Sequence, residues 1–379
     1  EVYSIAPTRE MAVLAAGHAS QGAFWINDET GKWSGSTYYG TFPSWVSNYN
    51  DRQGLDFRIS DMTWSPYLPV SIYRYLTSET KQVTFKHKFN DERKNKYRKL
   101  KTSPYANEEV NRLVNACLSS TSVGRDLVPD MLNLAYYAGN YDHRPISELP
   151  MEMQDTYVRL DATLAELLEI IDRKVGLSNT LFYITSTGYT DAQPLDPAQY
   201  RIPTGEFHIK RCSALLNLYL AAIYGEGLYV EASHEQELYL NHKLIEQKHL
   251  NLTEILERSS EFLVQFSGVK EVYSSHRIML GAWTPELDKV KNGYNKSCSG
   301  DLRIEVLPGW TVLRDHSLDT KVVRNVYTSA PFILMGWAVR PEIIYTPVQI
   351  GHIAPTLAHF MRIRAPNASA LPPLADIRK

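Results

Sequence analysis

The chain has 379 residues, of which 44% are hydrophobic and 22% are charged, and its formal net charge at pH 7 is -2. This composition is typical of a globular protein with a sizeable core, and the length fits one large α/β domain that carries a smaller inserted domain. The near-neutral charge gives no general attraction to nucleic acid or to acidic membranes, so nucleic acid is not an expected partner. The sequence holds no apolar run of about eighteen residues, and we therefore expect no transmembrane segment.

Cysteine usage excludes two kinds of small-domain framework. The three cysteines, Cys117, Cys212 and Cys298, show no CxxC spacing, which argues against a zinc ribbon and against a set of paired disulfides. One disulfide with one free thiol remains open. No charged and then apolar signal segment precedes Val2, so we expect a chain that has been processed or that is part of a longer one.

In chain order, a short strand is predicted at residues 2–5, and an aromatic segment follows it. Trp45 to Thr80 alternates aromatic residues with prolines, which favours an irregular segment along the surface. Packing over the sheet is the favoured role of these rings, since aromatic side chains contribute large buried areas. An exposed patch that binds a partner protein or a glycan is the alternative. The rings concerned are Trp25, Trp33, Tyr38, Tyr39, Trp45, Trp64, Tyr67, Tyr73 and Tyr75.

A basic run occupies Lys81 to Lys101, where nine Lys or Arg residues stand against Asp91 and Glu92. Such runs are usually solvated loops, and a docking strip for an anionic partner is the alternative. After this run, Asn107 to Ser120 has apolar residues at helical spacing. It predicts a helix that Asn107 caps.

The segment from Pro129 to Asp191 predicts a βαβ unit. Two apolar stretches, Asp130 to Tyr137 and Thr180 to Ile184, have strand character, and each is followed by a loop of the kind that carries the chemistry of α/β proteins. A long amphipathic helix lies between them. Its apolar stripe comprises Met153, Tyr157, Leu160, Leu164, Leu167, Leu168, Ile171 and Val175.

A polar, proline-containing linker follows Asp191, and a second domain is predicted to begin at Glu206. Its elements read strand, helix, strand, strand, helix, strand, which is the ferredoxin-like βαββαβ order. From Asp301 the stretches LRIEVLPGW and APFILMGW are expected to rejoin the main sheet, before a short helix at IAPTLAHFMRI. The predicted division is therefore 1–191, 192–300 and 301–379, with the middle part inserted.

Seven stretches are spread in order over nearly the whole chain: AAGHASQGAFWINDETGKWSGSTYY, PDMLNLAYY, MQDTYVRLDATLAELLEIIDRKVG, LFYIT, SGDLRIEVLPGW, APFILMGW and IAPTLA. Together they resemble the alkaline phosphatase superfamily, in its branch of bacterial phosphomonoesterases and type I phosphodiesterases. The resemblance implies a doubly wound α/β domain whose loops at the carboxyl ends of the strands hold two divalent metal ions. These ions activate a Thr or Ser nucleophile for phosphate ester hydrolysis.

Compared with that pattern, the loop after the first strand of the βαβ unit reads GNYDHRP. The family's Asp ligand falls on Asn140 and its His ligand on His143, with one residue deleted. Asn is a neutral and poor metal ligand, and the neighbouring Asp142 is a weak substitute. After the second strand, the family's Asp-His pair falls on Thr187 and Gly188. Of these four implied ligands only His143 keeps a metal-binding side chain, and it is displaced.

Further positions complete the comparison. The family's last His ligand falls on Ser329, and the positions whose Lys and Arg contact the substrate phosphate fall on Thr8 and Glu10. An acid at that place would repel phosphate, although a shift of one residue would bring Arg9 there. The resemblance also places the nucleophile and the first Asp ligand N-terminal to Glu1.

The sequence therefore predicts a noncatalytic alkaline-phosphatase-like protein that serves binding or assembly, with another protein as its expected partner and no cofactor. The reason is the coordinated loss of ligand residues within scaffold segments that remain intact. The resemblance implies a periplasmic or cell-envelope location. The alternative is an active phosphomonoesterase or phosphodiesterase, whose site has been rearranged around zinc or another divalent metal held by Asp142 and His143.

Overall fold

The computed structural model of the chain describes residues 1–73, 84–90, 95–144, 149–186, 203–282, 284–307, 310–313, 320–322, 329–375 and 377. The chain forms two compact units, one from Glu1–Gly188 together with Thr328–Lys379 and the other from Tyr189–Tyr327. Within the described residues, no helix combines the length and the apolar character needed to cross a membrane.

The strands and helices have the following bounds. The strands are β1 Val2–Ala6, β2 Gly22–Ile26, β3 Trp33–Ser34, β4 Thr63–Trp64, β5 His87–Lys88, β6 Met131–Leu134, β7 Leu181–Ile184, β8 Glu206–His208, β9 Val230–His234, β10 Glu237–Leu240, β11 Val269–Ser274, β12 Leu302–Val306, β13 Thr311–Leu313, β14 Thr320–Val322 and β15 Ile333–Gly336. The α-helices are α1 Arg9–Ala16, α2 Ser44–Gln53, α3 Leu55–Arg58, α4 Lys96–Lys101, α5 Tyr105–Ser120, α6 Pro150–Lys174, α7 Ile209–Tyr224, α8 His242–Gln247, α9 Leu252–Leu263, α10 Ser275–Leu280, α11 Pro285–Asn292 and α12 Ile353–Met361. The second unit contains β8 to β14 and α7 to α11.

The first unit is built on a four-stranded sheet in the order β3-β2-β1-β6, in which β1 runs parallel to β2 and to β6. The strand period of two sends Tyr3, Ile5 and Phe24 to one face and Ala6 and Ala23 to the other. The large residues join a core with α2, α5 and α6. The small residues allow α1 to pack closely on the opposite face. Helices therefore cover both faces, as predicted for a doubly wound α/β sheet.

The predicted βαβ segment is confirmed in its three elements. β6 and β7 fall inside the predicted strands, and α6 is the 25-residue helix between them. The apolar side of α6 enters the core through Leu167, Ile170 and Ile171. Among the described residues, β7 pairs antiparallel with β15 rather than with β6. A hydrogen bond of 2.8 Å from Tyr183 Oη to Asn133 Oδ1 connects β7 with β6.

The aromatic segment belongs mainly to the core. Trp33, Trp64 and Tyr73 are at most 5% exposed and form part of the core of the first unit, which confirms the favoured prediction for these rings. Tyr38 is exposed and contacts His18 Nδ1 through its hydroxyl at 2.9 Å. Tyr75 lies outside the described residues.

The basic run is partly described, and its described end is not a loop. Lys96–Lys101 forms α4, in which Tyr97, Leu100 and Lys101 are buried. The Nζ atom of Lys101 lies 2.8 Å from Asp28 Oδ1, so this positive charge is neutralised inside the unit. The prediction of a solvated loop is wrong here, because two apolar residues among the basic ones give the segment a side that packs on the core. An anionic docking strip stays a prediction.

A buried carboxylate ties the aromatic segment to α6. Asp155 is fully buried and accepts hydrogen bonds from Trp64 Nε1 at 2.5 Å and from the backbone N–H of Tyr67 at 2.6 Å. The hydroxyl of Tyr73 donates to the same carboxylate, and Arg159 Nε donates from the next turn of the helix at 2.8 Å. Four donors thus satisfy one buried negative charge, and several of these bonds are of the strong charge-assisted kind.

The second unit is built on a four-stranded antiparallel sheet in the order β11-β12-β10-β9. Helices α7 and α9 pack on it through Leu216, Leu220, Ile255 and Leu263. Two helices on a four-stranded antiparallel sheet form a ferredoxin-like arrangement, but one strand is exchanged. The predicted first strand, β8, pairs parallel with β13 in a separate three-stranded sheet, and β12 lies between β10 and β11 instead.

The position of β12 corrects the predicted return to the main sheet at residue 301. Leu302, Ile304 and Val306 are fully buried, whereas the two residues between them are half-buried. Such alternation is typical of an antiparallel strand with one covered face, and not of a strand buried on both faces in a parallel sheet. The second unit accordingly extends to Tyr327 and not only to residue 300.

All three cysteines are free thiols, which decides the alternative that the sequence left open. Cys117 and Cys212 are buried, and burial raises the pKa of the first to about 12 and of the second to about 11, whereas Cys298 is exposed. The thiolate is the reactive form. We therefore expect an aromatic disulfide reagent to modify one thiol rapidly in the folded chain and all three after unfolding. Cys298→Ser should remove the rapid phase, and rapid modification of a second thiol would contradict the structure.

Candidate functional site

The carboxyl ends of β1, β2 and β6 lie at one edge of the sheet, because the three strands run parallel. Loops at this edge are where α/β proteins form their sites. Thr8 lies two residues after the end of β1 and is half-buried, and its side chain makes no capping hydrogen bond to α1. Glu10 is exposed and lies 3.5 Å from the guanidinium of Arg9. The predicted phosphate-contact positions therefore hold a neutral hydroxyl and an acid that is paired with its neighbour.

The loop after β6 is positioned by Asn107 on α5. The backbone N–H of Tyr137 donates to Asn107 Oδ1 at 2.6 Å, and Asn107 Nδ2 donates to the carbonyl oxygen of Tyr137 at 2.8 Å. The predicted capping role of Asn107 is wrong, because α5 begins two residues earlier, at Tyr105. Asn107 is fully buried inside the helix, where its carboxamide replaces the strand partner that the backbone of Tyr137 would otherwise need.

Further hydrogen bonds shape the rest of this loop into a tight turn over Tyr141–His143. The hydroxyl of Tyr137 donates to the carbonyl oxygen of Asn140 at 2.5 Å, and the backbone N–H of His143 donates to the same oxygen at 3.1 Å. The backbone N–H of Asp142 donates to Thr102 Oγ1, at the end of α4, at 3.0 Å. The loop is thus held by side chains of the protein itself.

Asn140 occupies the position of the family's Asp ligand, and its side chain is isolated. The residue is 3% exposed, and neither Oδ1 nor Nδ2 has a hydrogen-bond partner among the described residues. A buried polar group without a partner costs about 1–3 kcal/mol, so this carboxamide is a local source of instability. It also carries no negative charge with which to hold a divalent cation.

Asp142 and His143 follow in the left-handed region of backbone conformation, with φ values of 54° and 55°. The carboxylate of Asp142 is largely exposed and lies 3.6 Å from Lys99 Nζ. The ring of His143 is half-buried and meets the ring of Tyr137 edge to face, with the centroids 6.3 Å apart. The acid that is nearest in sequence to the lost ligand is therefore turned toward a lysine of α4.

The other predicted ligand positions add no acid or imidazole. Ser329 is exposed. Thr187 and Gly188 lie outside the described residues, and their side chains are a hydroxyl and a hydrogen atom. Within the described part of the chain, no group of three or more His, Cys, Asp and Glu residues is placed to hold a metal ion.

The donor set does not fit a two-metal centre. Two close divalent cations need several anionic or imidazole ligands in their first coordination shell. The positions concerned supply one imidazole, from His143, and one carboxylate, from Asp142, that is paired with Lys99. The carboxamide of Asn140 and the hydroxyl of Ser329 are neutral and cannot neutralise the positive charge of two divalent cations. We therefore derive no catalytic step through a metal.

A histidine that the sequence did not single out, His87, packs against the turn of the same loop. His87 Nε2 lies 2.9 Å from the buried carboxylate of Glu152, and the His87 ring contacts the rings of Tyr141 and Trp64 with centroid distances of 4.6 and 5.4 Å. These residues come from β4, β5, the turn and α6. No local pattern brings them together, since the tertiary fold alone makes them neighbours.

Among the described residues, the most deeply buried carboxylate with a shifted pKa lies on helix α5. Glu109 on α5 is 1% exposed at its side chain, and burial raises its pKa. Its partners are the guanidinium of Arg58, the hydroxyl of Tyr49 at 3.2 Å and Arg112 Nε at 3.7 Å. Strongly perturbed groups cluster at functional sites, but paired networks inside a fold perturb them equally. The internal partners identify Glu109 as part of the packing between α2, α3 and α5.

Comparison with known proteins agrees with the resemblance. A model of the family described as type I phosphodiesterase / nucleotide pyrophosphatase matches residues 3–329. Alkaline phosphatase PafA of Elizabethkingia meningoseptica is 26% identical over 389 residues, which cover 97% of this chain and 69% of PafA. Alkaline phosphatase PhoV of Synechococcus elongatus is 24% identical, with 100% of this chain and 70% of PhoV covered. A protein of Myroides odoratus named calcium-transporting ATPase is 25% identical, with coverage of 99% and 72%.

A solved structure is similar over the whole described fold. The crystal structure of wild-type alkaline phosphatase PafA matches with a TM-score of 0.75 and 25% identity, and it covers 100% of this chain and 75% of that one. This match confirms the predicted α/β fold of the alkaline phosphatase type. With the family model matching most of its length, the chain belongs to the type I phosphodiesterase / nucleotide pyrophosphatase family of the alkaline phosphatase superfamily.

Proposed function

We propose that this chain is a noncatalytic member of its family and serves binding or assembly outside the cytoplasm. The observation that carries the proposal is the loop after β6. Asn140 stands where the family has an Asp ligand, and its side chain is buried and neutral. The nearby Asp142 is paired with Lys99. The side chains of Asn107 and Thr102 hold this loop through hydrogen bonds to the backbone of Tyr137 and of Asp142.

The other positions support the same conclusion. Thr187, Gly188 and Ser329 replace an Asp, a His and a His of the family pattern, and none of them brings a charge or a nitrogen ligand. Glu10 stands where related enzymes have a group that attracts phosphate. Decay of a site by chance would also affect the scaffold, whereas the core around this loop is well packed. The location outside the cytoplasm rests on the family resemblance.

Support for a protein partner comes from an exposed apolar stretch of the first unit. Large exposed apolar patches mark interaction sites. The stretch follows β15, and each of its large side chains is between 44% and 88% exposed: Ile343, Ile344, Tyr345, Val348 and Ile350.

One observation favours the second candidate, an active metal-dependent phosphomonoesterase or phosphodiesterase. Two of the relatives are named alkaline phosphatases, and Asp142 and His143 are adjacent in the loop where the family binds metal. A single zinc or other divalent ion on these two residues would require Asp142 to leave Lys99.

Metal content and turnover separate the two candidates. We expect the intact chain, purified without chelators, to contain far less than one equivalent of zinc. We also expect it to hydrolyse neither an aryl phosphate monoester nor a bis-aryl diester above the buffer rate, with or without added zinc. His143→Ala should change neither result, because the imidazole has no metal to hold.

The control is His359→Ala, an exposed histidine on α12, far along the chain from the loop. Stoichiometric metal together with turnover that His143→Ala abolishes and His359→Ala retains would contradict the noncatalytic proposal. The absence of metal and of turnover in all three proteins would exclude the alternative.

A further inference from the structure

Helix α7 of the second unit uses only part of its circumference for packing within the unit. Its inner face enters the core of the antiparallel sheet through Cys212, Leu216 and Leu220. One flank is held by Asn217, whose carboxamide pairs with both backbone groups of Val230 on the edge strand β9, at 2.8 and 3.2 Å. The outward face carries none of these contacts.

That outward face is apolar. Leu218 is 68% exposed at its centre, and Leu215 is 37% exposed one turn away. Ala214 and Ala222 are exposed on either side of Leu218, at the helical spacing of four residues. Steps of three and four place these residues in one stripe along the helix, so the stripe is a continuous strip of apolar surface.

We propose that this strip is a self-association surface on which α7 packs antiparallel against α7 of a second copy of the chain. A twofold axis through Leu218 brings Ala214 of each copy opposite Ala222 of the other. Small residues then flank the central pair of leucines on both sides and let the two backbones approach closely. A contact of this type is isologous and closes at two copies.

Charge favours a second copy as the occupant and fixes the antiparallel orientation. Arg211 is exposed at the amino end of the strip, and Glu226 is exposed just beyond its carboxyl end. With the axis at Leu218, each Arg211 lies level with Gly225 of the other copy, one residue before Glu226, whereas a parallel pair would place like charges together. The helix dipoles also oppose each other only in the antiparallel arrangement.

The size of the strip sets the expected affinity. Helix α7 has 16 residues and is therefore about 24 Å long. A single pair of such helices gives an interface at the low end of the range for specific complexes, about 1,200 Å² or less. We therefore expect a reversible dimer with a dissociation constant in the micromolar range. This dimer would form whether or not the chain hydrolyses phosphate esters.

Sedimentation velocity of the full chain over a wide concentration range tests the proposal. We expect the wild type to move from monomer to dimer as concentration rises, and Leu218→Arg to weaken association at least about tenfold, because it places two like charges on the axis. Leu280→Arg is the matched control, since Leu280 is 73% exposed on α10 of the same unit. It should dimerise as the wild type does.

A charge exchange tests the orientation separately from the apolar contact. Arg211→Glu and Glu226→Arg should each weaken the dimer, and the double variant should recover most of the affinity. A wild type that stays monomeric at every concentration would overturn the proposal. So would a dimer that Leu218→Arg leaves unchanged, because that dimer would use another surface.

Discussion

Replacing Asp155 with alanine is expected to lower the free energy of unfolding of the first unit by about 3–5 kcal/mol, the range for breaking a buried ion pair from one side. The substitution removes the acceptor of Trp64 Nε1, of the Tyr67 backbone and of the Tyr73 hydroxyl. It also leaves the guanidinium of Arg159, whose side chain is 13% exposed, without its closest carboxylate. Each unpaired group then carries its own desolvation penalty.

Denaturant unfolding followed by tryptophan fluorescence measures this loss. Five of the seven tryptophans lie in the first unit, and Trp64 itself contacts Asp155. The control is Asp161→Ala, which removes an exposed carboxylate from the same helix and should change the free energy of unfolding by no more than about 0.5 kcal/mol. Equal losses in the two variants would mean that the network around Asp155 contributes little beyond helix propensity.

The elements that the sequence predicted correctly are those with a strong local pattern. The apolar repeat of α6 and the bounded apolar runs of β6 and β7 predict the three elements correctly. The predicted buried stripe holds only toward the carboxyl end of α6, where Leu167 and Ile171 are buried. Tyr157 is 53% exposed, and the amino-terminal half of the helix buries polar residues such as Asp155 instead.

The misassigned strand β12 also has a local pattern, since Leu302, Ile304 and Val306 alternate with polar residues. The prediction that this strand rejoins the main parallel sheet was wrong, because such alternation is typical of an antiparallel strand with one covered face.

Other differences could not be read locally. Asn107 has the sequence context of a helix cap, but α5 begins earlier and the side chain reaches residue 137, thirty positions away. The exchange of β8 for β12 in the antiparallel sheet is a choice between two strands of similar propensity, and long-range pairing decides it. Such choices depend on tertiary contacts that no short window contains.

Some features of the candidate site could be predicted from the sequence, and others depend on tertiary contacts. The residue types at Asn140, His143 and Ser329 were available from the sequence, and they carried the prediction of a lost metal centre. The pairing of Asp142 with Lys99 of α4 and the burial of Asn140 could not be predicted from the sequence, because both depend on tertiary contacts. The loop therefore lacks the Asp ligand at residue 140, and the acid that remains in it, Asp142, is paired with Lys99.

Replacing Asn140 with leucine is expected to raise the free energy of unfolding by about 1–3 kcal/mol, the penalty of a buried polar group without a partner. Leucine has the same branched shape and the same number of side-chain heavy atoms, and it needs no hydrogen bond. Neither polar atom of the native side chain has a partner among the described residues. Denaturant unfolding measures the gain, and Asn115→Leu, on the exposed side of α5, is the control that should change stability by no more than about 0.5 kcal/mol.

The companion variant Asn140→Asp restores the family's ligand and makes the test decisive for function. Burial disfavours a charged carboxylate, so the pKa of the new carboxyl group should lie above the ordinary value of about 3.9. Its folded form then binds more protons than its unfolded form, and the variant should lose stability relative to wild type as the pH rises through this interval. If zinc restores the stability of Asn140→Asp at neutral pH and leaves Asn140→Leu unaffected, the loop can bind a metal ion once its Asp ligand is restored. That result would support the loss of the Asp ligand at residue 140 as the reason why the native loop binds no metal. If zinc leaves this loss of stability unchanged, the loop does not bind zinc even with Asp at residue 140. Its conformation is then the one that Asn107, Thr102 and Lys99 stabilise.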